Sequence, residues 1–501
     1  MHAQETSRSL SDLLRAAGDV LIEAPEQDLA IEGLAYDSRA AGPGSLFFCI
    51  PGAVNDGHMF ASDAVRSGSV ALCVERPTGV SVPEILVEDA RVALARIASA
   101  FFGNPGESMM LLGVTGTNGK TTTAFLLESI LRASNHSTGL IGTIETRIAG
   151  RRKPGVRTTP ESLDLQELLA EMRDAGVKAV AMEVTSHGLA MHRVDAIRFT
   201  VAAFTNLSQD HLDFHSSMED YFAAKRMLFT PERAVKGVTN LDDAWGARLW
   251  DESTIGCVGF GSDERAAVKA HDVRSGPWGS EFVVAIEGSG EIKVSSRLVG
   301  HFNVSNCLAA AAVAWQAGIE LAAIQTGIEQ LGSVPGRFEA IDMGQPFTVV
   351  VDYAHTPDSL DNVLRGARSL AGANRVVCAF GCGGDRDKGK RPLMGAVVAK
   401  LADVVIVTSD NPRSEAPQAI IDSILEGVVT ERADGPDAVL VDRKEAIGRA
   451  LASARAGDVV VIAGKGHETG QEFVNETIPF DDRDVVRDEL RKLGFDGGTG
   501  S

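Results

Sequence analysis

Short apolar runs, each ending abruptly in polar or glycine residues, limit the folds open to this chain. Residues 109–114 lead into Thr115-Gly116, 179–182 into Glu183, and 201–204 into Thr205-Asn206. Residues 347–351 lead into Asp352, 376–380 into Gly381, 404–407 into Thr408-Ser409-Asp410, and 459–463 into Gly464-Lys465-Gly466. The runs are continuous rather than alternating, most are rich in β-branched residues, and helical-looking stretches separate them. That pattern predicts parallel strands buried on both faces, hence an α/β fold. Open α/β sheets place ligands at the carboxyl ends of their strands, so the polar residues there are the first candidates for a site.

The 501 residues suffice for several domains. Gly103-Asn104-Pro105-Gly106 and Gly332-Ser333-Val334-Pro335-Gly336 interrupt the apolar pattern, which predicts domains over 1–107, 108–332 and 333–501. In the first, short strands are expected at 33–36, 45–50 and 70–74, and the glycine-rich end at 497–501 is expected to fray. A net charge of −20 repels nucleic-acid backbones and anionic membranes, so neither is an expected partner. An anionic small substrate would need locally gathered Arg, Lys, backbone N–H groups or metal ions. The six cysteines form no C-x-x-C pair and are expected to be buried thiols in a reducing compartment. Met1-His2-Ala3-Gln4-Glu5 lacks a basic region followed by an apolar core, and no run reaches the roughly 18 apolar residues of a membrane span. A cytoplasmic protein without membrane insertion is expected.

Residues 111–122 are the most specific element: a strand, the loop Thr115-Gly116-Thr117-Asn118-Gly119, then Lys120-Thr121-Thr122 opening a helix. Glycines let such a loop wrap phosphates with its N–H groups. Lys120 would reach the outer phosphates and the Thr121 hydroxyl would ligate magnesium, which implies ATP and Mg2+. The general phosphate-loop pattern has Gly where Val114 stands. Glu183, at a strand tip on the same sheet edge, suits a magnesium ion shared with ATP, the alternative being a helix-capping carboxylate. His211, Asp213 and His215 could make a zinc site or lie in a solvated loop.

The loop at 115–121 resembles that of the Mur ligases, ATP-dependent amide-forming enzymes of peptidoglycan precursor synthesis. Folylpolyglutamate and cyanophycin synthetases carry related loops. The segment from Asn206 to His215, followed by Ala223-Ala224-Lys225, is very similar to the Mur ligase pattern N-L-x-x-D-H-L-D-x-H with its lysine. This implies His211 as a second magnesium ligand and Lys225 as a carbamylated lysine, carboxylate-like and able to bind metal. Thr158-Thr159-Pro160, Thr185 and Arg193 resemble the contacts to the muramyl peptide, with Arg193 pairing an acidic substrate group. Arg157 and Met191 stand where Asn and Gln are common. Ser38, in Tyr36-Asp37-Ser38-Arg39, and the segment 51–58 resemble the uridine-nucleotide module. Asn303, Arg337 and Asp352 lie in segments similar to those that contact ATP. Arg386, Asp410-Asn411-Pro412-Arg413, Gly464 and Glu468 resemble the contacts to diaminopimelate.

The resemblance implies a three-domain Mur ligase fold, with a central phosphate-loop domain built on a parallel sheet and a Rossmann-like C-terminal domain. It further implies phosphorylation of the D-glutamyl γ-carboxylate of UDP-MurNAc-L-Ala-D-Glu, attack by the amine of meso-2,6-diaminopimelate, and a monomer, with Lys120, Glu183, His211 and Lys225 as the catalytic set. L-Lysine as the added amino acid, a folate or amino-acid polymer ligase, and a non-catalytic nucleotide-dependent scaffold are the alternatives. Cys382 is expected to be structural, since ligation through an acyl phosphate needs no thiol.

Overall fold

The computed structural model describes residues 7–52, 55–212 and 214–496. Residues 1–6, Ala53, Val54, Asp213 and residues 497–501, some of which carry expectations above, lie outside the described residues.

The expected strands at the beginning of the chain form as Gly33–Ala35, Ser45–Phe48 and Ala71–Val74. They pair in parallel with Glu84–Val87, and Leu21–Glu23 closes the far edge antiparallel. Helix Ala90–Phe101 starts where Asp89 accepts hydrogen bonds from the Arg91 and Val92 amides, filling donors that the first turn leaves unpaired. Its Ala93, Leu94, Ile97, Ala98 and Phe101 are buried against the sheet and helix Leu10–Ala17.

Next comes an eleven-stranded sheet with strand Met110–Thr115 near its middle, flanked by Ala179–Glu183 and Phe199–Phe204. Register pairs Glu183 with Val114 and Phe204 with Thr115. Glu183 and Thr205 therefore emerge on the same edge as the phosphate loop. The sheet is mixed rather than parallel throughout. Arg151–Pro154 and Glu145–Ile148 pair antiparallel at one end, as do Val268–Gly276, Gly279–Ile286 and Gly290–Ser296 at the other. Gly279–Ile286 alternates buried with less buried residues, as a strand wetted on one face does. Helix Lys120–Ala133 is buried along most of its length among the sheet and helices His301–Gln316 and Leu321–Gln330.

The last sheet runs Glu339–Ile341, Thr348–Asp352, Val459–Ala463, Val376–Phe380, Val404–Thr408, Ala438–Leu440, parallel except for its first strand. Helices Pro357–Ala371, Lys390–Leu401 and Pro417–Glu431 cover one face, Arg443–Ser453 and Asp482–Lys492 the other. Val459–Ala463, last of these strands in the chain, lies between earlier ones. The loops leaving it and its neighbours diverge to opposite faces, which opens a crevice at the carboxyl ends.

Candidate functional site

Two glycines shape the phosphate loop. Gly116 and Gly119 have φ of 148° and 85°, and a Cβ would lie 1.9 Å from Thr205 Oγ1 at the first and 2.4 Å from Asn306 Oδ1 at the second. The loop is braced from the neighbouring strand end: Thr205 Oγ1 donates to the Asn118 carbonyl (2.6 Å), and Asn206 Oδ1 accepts from the Asn118 amide (2.8 Å). Lys120 folds back to donate to the carbonyls of Gly116 (2.9 Å) and Thr117 (2.8 Å). Burial pushes its pKa down, against the pull of Glu183 and Asp210.

Glu183 is 1% exposed, and both its oxygens are engaged. Oε1 accepts from the Thr143 amide (2.8 Å), and Oε2 from the Thr143 hydroxyl (3.1 Å) and the Thr121 hydroxyl (2.9 Å). Arg337 Nη2 donates to Thr121 Oγ1 (3.3 Å), and its guanidinium lies 4.7 Å from the Tyr353 ring centre.

The histidine segment divides. His211, at φ 54°, places Nε2 3.4 Å from Asp210 Oδ2, with its ring edge-on to His187. His215 meets the Ser186 hydroxyl through Nε2 (2.9 Å) and stacks on Tyr221. Among the described residues no group of three His, Cys, Asp or Glu gathers to hold a metal, so the zinc reading finds no support there. Lys225, buried under the Tyr221 ring at 4.5 Å, donates from Nζ to the Gly116 carbonyl at 2.8 Å. Burial, helped by the Lys120 charge, holds its pKa well below the usual lysine value.

A cavity of ≈ 580 Å³ gathers Lys120, Thr121, Glu183, Thr185, Arg193 and His211. It shares His187, His211, Tyr353 and Arg386 with a second cavity of ≈ 760 Å³ that reaches Asp410, Asn411, Arg413 and Glu468. A third, of ≈ 340 Å³, also borders the loop, against Asn118, Thr122, Arg337 and Asp352.

Several expected contacts have other work here. Arg193 pairs with Glu161 (2.7 Å) and donates to the Thr159 carbonyl (3.0 Å), and Arg157 and Arg91 pair with the same Glu161. Thr158 lines the first cavity and meets the Thr143 hydroxyl (3.0 Å). Thr159 is buried, donating to the Glu183 carbonyl (3.1 Å) and accepting from the Thr185 amide (3.0 Å), while Thr185 caps helix Ser186–Ala190. Ser38, half-buried, lines none of the three cavities. Asn303 turns inward to the Val299 carbonyl and to Asn306 (2.8 Å each), which leaves Asn306 beside the loop. Asp352 accepts from the Phe338 amide (2.6 Å) and the Ala354 amide (2.7 Å), and burial raises its pKa to about 6 despite Arg337. Asp358, across the domain junction, accepts from Asn118 Nδ2 (2.9 Å) and the Ser208 hydroxyl (2.6 Å). It lies on helix Pro357–Ala371, where sequence gives no sign of such a bridge, whereas Asn306 and Tyr353 stand close in sequence to Asn303 and Asp352.

In the C-terminal crevice, Asn411 Nδ2 donates to Glu468 Oε2 (2.8 Å), and Lys465, 0% exposed, donates to Asn411 Oδ1 (2.8 Å), Glu468 Oε2 (3.0 Å) and the Gly470 carbonyl (2.6 Å). A Cβ on Gly464 (φ 120°) would lie 2.4 Å from Asp410 Oδ2. Arg443 and Asp482 form a fully buried bidentate pair (2.7 Å for both bonds). The same guanidinium donates to the carbonyls of Ser409 (3.2 Å) and Ala463 (3.0 Å), the residues before Asp410 and Gly464. Pro412 is buried and Arg386 exposed at the cavity wall. The Cys382 thiol is buried and pushed up to about 12, so it is held as a protonated packing group.

Family models match along the chain: the Mur ligase family catalytic domain at 30–102, the Mur ligase middle domain at 114–314 and the Mur ligase glutamate ligase domain at 336–466. Among curated proteins, the UDP-N-acetylmuramoyl-L-alanyl-D-glutamate--2,6-diaminopimelate ligase of Streptomyces coelicolor is 44% identical over 493 residues, 97% of each chain. The enzyme of that name from Solibacter usitatus is 47% identical over 480 residues, 94% of this chain and 96% of its own. A solved structure of a ligase with the same name aligns with a TM-score of 0.69 at 32% identity, covering 97% of this chain and 99% of that one. Folylpolyglutamate synthase of Mycobacterium tuberculosis, at 18% identity and a TM-score of 0.60 over 73% of this chain and 91% of its own, shares the fold.

Proposed function

Because the chain belongs to the Mur ligase family, we propose that it is the ATP-dependent ligase that joins meso-2,6-diaminopimelate to the D-glutamyl γ-carboxylate of UDP-MurNAc-L-Ala-D-Glu. One observation carries this reading. The cavity at the phosphate loop and the cavity at Asp410, Asn411, Arg413 and Glu468 share a wall, so a carboxylate activated in one can meet an amine held in the other.

A carboxylate does not react with an amine at neutral pH, and transfer of the ATP γ-phosphoryl group makes it an acyl phosphate that does. Lys120, released from the loop carbonyls it now contacts, places its charge where negative charge builds on the transferred group. Thr121 and Glu183 offer hard oxygen donors but no complete protein cage, which fits magnesium, an ion that usually completes its shell with phosphates and water. Bound there, it would neutralise phosphate charge. His211 and Lys225 are the candidates for a second ion. The depressed pKa of Lys225 favours the neutral amine, the form that reacts with CO2 to give a carbamate. The diaminopimelate amine then attacks the acyl carbon, and the tetrahedral adduct loses a proton and expels phosphate to leave the amide.

Ser38, Thr158, Thr159, Thr185 and Arg193 serve the nucleotide substrate, some of them through one another, and Arg193 exchanges Glu161 for an acidic substrate group. Asn303, Arg337 and Asp352 support ATP. Asp410, Asn411, Arg413, Arg386, Gly464 and Glu468 receive diaminopimelate, whose distal carboxylate separates it from L-lysine. The enzyme acts as a cytoplasmic monomer divided into 1–107, 108–332 and 333–501. No helix among the described residues is long and apolar enough to cross a membrane.

The test is ADP formation by the purified protein with ATP, Mg2+, UDP-MurNAc-L-Ala-D-Glu and a panel of amino acids. ADP that requires both the nucleotide peptide and diaminopimelate supports the reading. ADP formed equally without either, or only with folate and glutamate, overturns it.

A further inference from the structure

Arg413, the residue on which amino-acid selectivity rests in the reading above, is held from outside its own loop. It sits at φ 52°, a left-handed conformation uncommon for a residue with a side chain. What keeps it there comes from the segment after Glu468. The Arg413 amide donates to the Glu472 carbonyl (3.0 Å), and Arg413 Nε donates to Glu472 Oε2 (2.6 Å). One residue therefore fixes both the backbone and the guanidinium. Arg413 Nη1 adds a bond to the Gly384 carbonyl (2.8 Å). The rest of the strap Gly470–Glu472, which pairs with Thr477–Pro479, is tied to the same loop. Gln471 Nε2 donates to the Asp410 carbonyl (2.7 Å), the Glu472 amide to Asn411 Oδ1 (3.1 Å), and Lys465 to the Gly470 carbonyl.

We propose that Glu472 is a specificity-positioning residue: by accepting Nε–H it aims the Nη edge of Arg413 into the ≈ 760 Å³ cavity, where a distal carboxylate of the incoming amino acid is bound. A guanidinium has five N–H donors in one rigid plane, so fixing Nε and one Nη1 proton fixes the direction of the others. Among the described residues Nη2 makes no hydrogen bond, which leaves it for a ligand. Glu472 also offsets the Arg413 charge. A single monodentate anion then gains little from the site, whereas a carboxylate that meets the fork with two bonds gains much more. The side chains of Glu472 and Arg413 are 48% and 24% exposed, and Arg413 keeps its bond to the Gly384 carbonyl, so removing Glu472 leaves a guanidinium that is still hydrogen-bonded and in reach of water.

This inference rests on the ligase reading, and steady-state kinetics of wild type, Glu472→Ala and Glu472→Gln separate the two. If wild type shows no preference for diaminopimelate over lysine, the reading itself falls and the inference with it. Given that preference, Glu472→Ala is expected to raise KM for diaminopimelate about tenfold, with kcat, KM for ATP and KM for the nucleotide peptide nearly unchanged. Glu472→Gln, which keeps an oxygen to accept Nε–H, is expected to recover most of the loss. An unchanged or lowered KM for diaminopimelate in Glu472→Ala overturns the inference alone, a lowered value meaning that Glu472 competes with the substrate carboxylate. Equal defects in Glu472→Ala and Glu472→Gln also overturn it.

Discussion

Lys225 reaches across from helix Met218–Arg226 to place its Nζ 2.8 Å from the Gly116 carbonyl, so a buried amine stands against the loop expected to hold ATP. A charged lysine is a poor structural choice there, because burial without a carboxylate partner disfavours the ammonium. On the proposed reading the neutral amine captures CO2 to form a carbamate, whose negative charge a bound magnesium ion would offset.

Lys225→Ala is therefore expected to be nearly inactive and to recover partly with added short carboxylic acids, which replace the missing carbamate oxygens. Bicarbonate depletion should lower wild-type activity reversibly. Full activity of Lys225→Ala without any added acid contradicts this role.

For Lys120→Ala, turnover should be abolished while the fold persists. The Nζ bonds to the Gly116 and Thr117 carbonyls are local, and losing them costs about 1 kcal/mol of stability. Near-normal ADP formation would show that the loop has been misread.

Asp352 should make stability pH-dependent in a particular direction. Its carboxyl rises from an ordinary 3.8 to about 6 in the folded protein, so between those values the native state holds the proton more tightly than the unfolded chain. This stabilisation is complete below the unfolded value, fades as pH rises towards about 6 and is absent above it. Asp352→Asn removes the dependence, so its deficit in melting temperature against wild type should shrink as pH is raised from about 4 to about 7, by an amount equivalent to about 2 kcal/mol. A constant deficit across that range would mean that the carboxyl is not perturbed.

The buried Arg443–Asp482 pair should be costly to break and cheap to replace. Arg443→Ala leaves a buried carboxylate alone and is expected to lose about 3–5 kcal/mol, whereas Arg443→Met combined with Asp482→Leu should lose much less. Thermal unfolding of the single and double variants distinguishes these outcomes. Equal losses would mean that the bonds to the Ser409 and Ala463 carbonyls, rather than the uncompensated charge, dominate.

The sequence made the strand ends legible because burial on both faces leaves an unbroken apolar run, and the residue that ends the run must stand at the sheet edge. Glu183, Thr205, Asp352, Asp410 and Gly464 were placed that way. The antiparallel strands over 268–296 were not, since a half-wetted strand carries a weaker, alternating signal. Partners distant in sequence were also invisible. Nothing near Arg193 points to Glu161, and nothing near Arg413 points to Glu472. Of the two amides that Asp352 accepts, that of Ala354 is local in the chain, whereas that of Phe338 becomes visible only when the fold brings it near.

The most direct measurement is catalytic efficiency with meso-2,6-diaminopimelate against L-lysine, at saturating ATP and UDP-MurNAc-L-Ala-D-Glu, for wild type and Arg413→Ala. Lysine leaves the Arg413 guanidinium without its carboxylate and its own terminal ammonium without the neighbouring negative charge that diaminopimelate carries, a penalty of about 3 kcal/mol that corresponds to a preference on the order of 100-fold. Wild type should show that preference, and Arg413→Ala should lose most of it through poorer use of diaminopimelate. Equal use of the two amino acids by wild type, or undiminished selectivity in Arg413→Ala, would contradict the assignment.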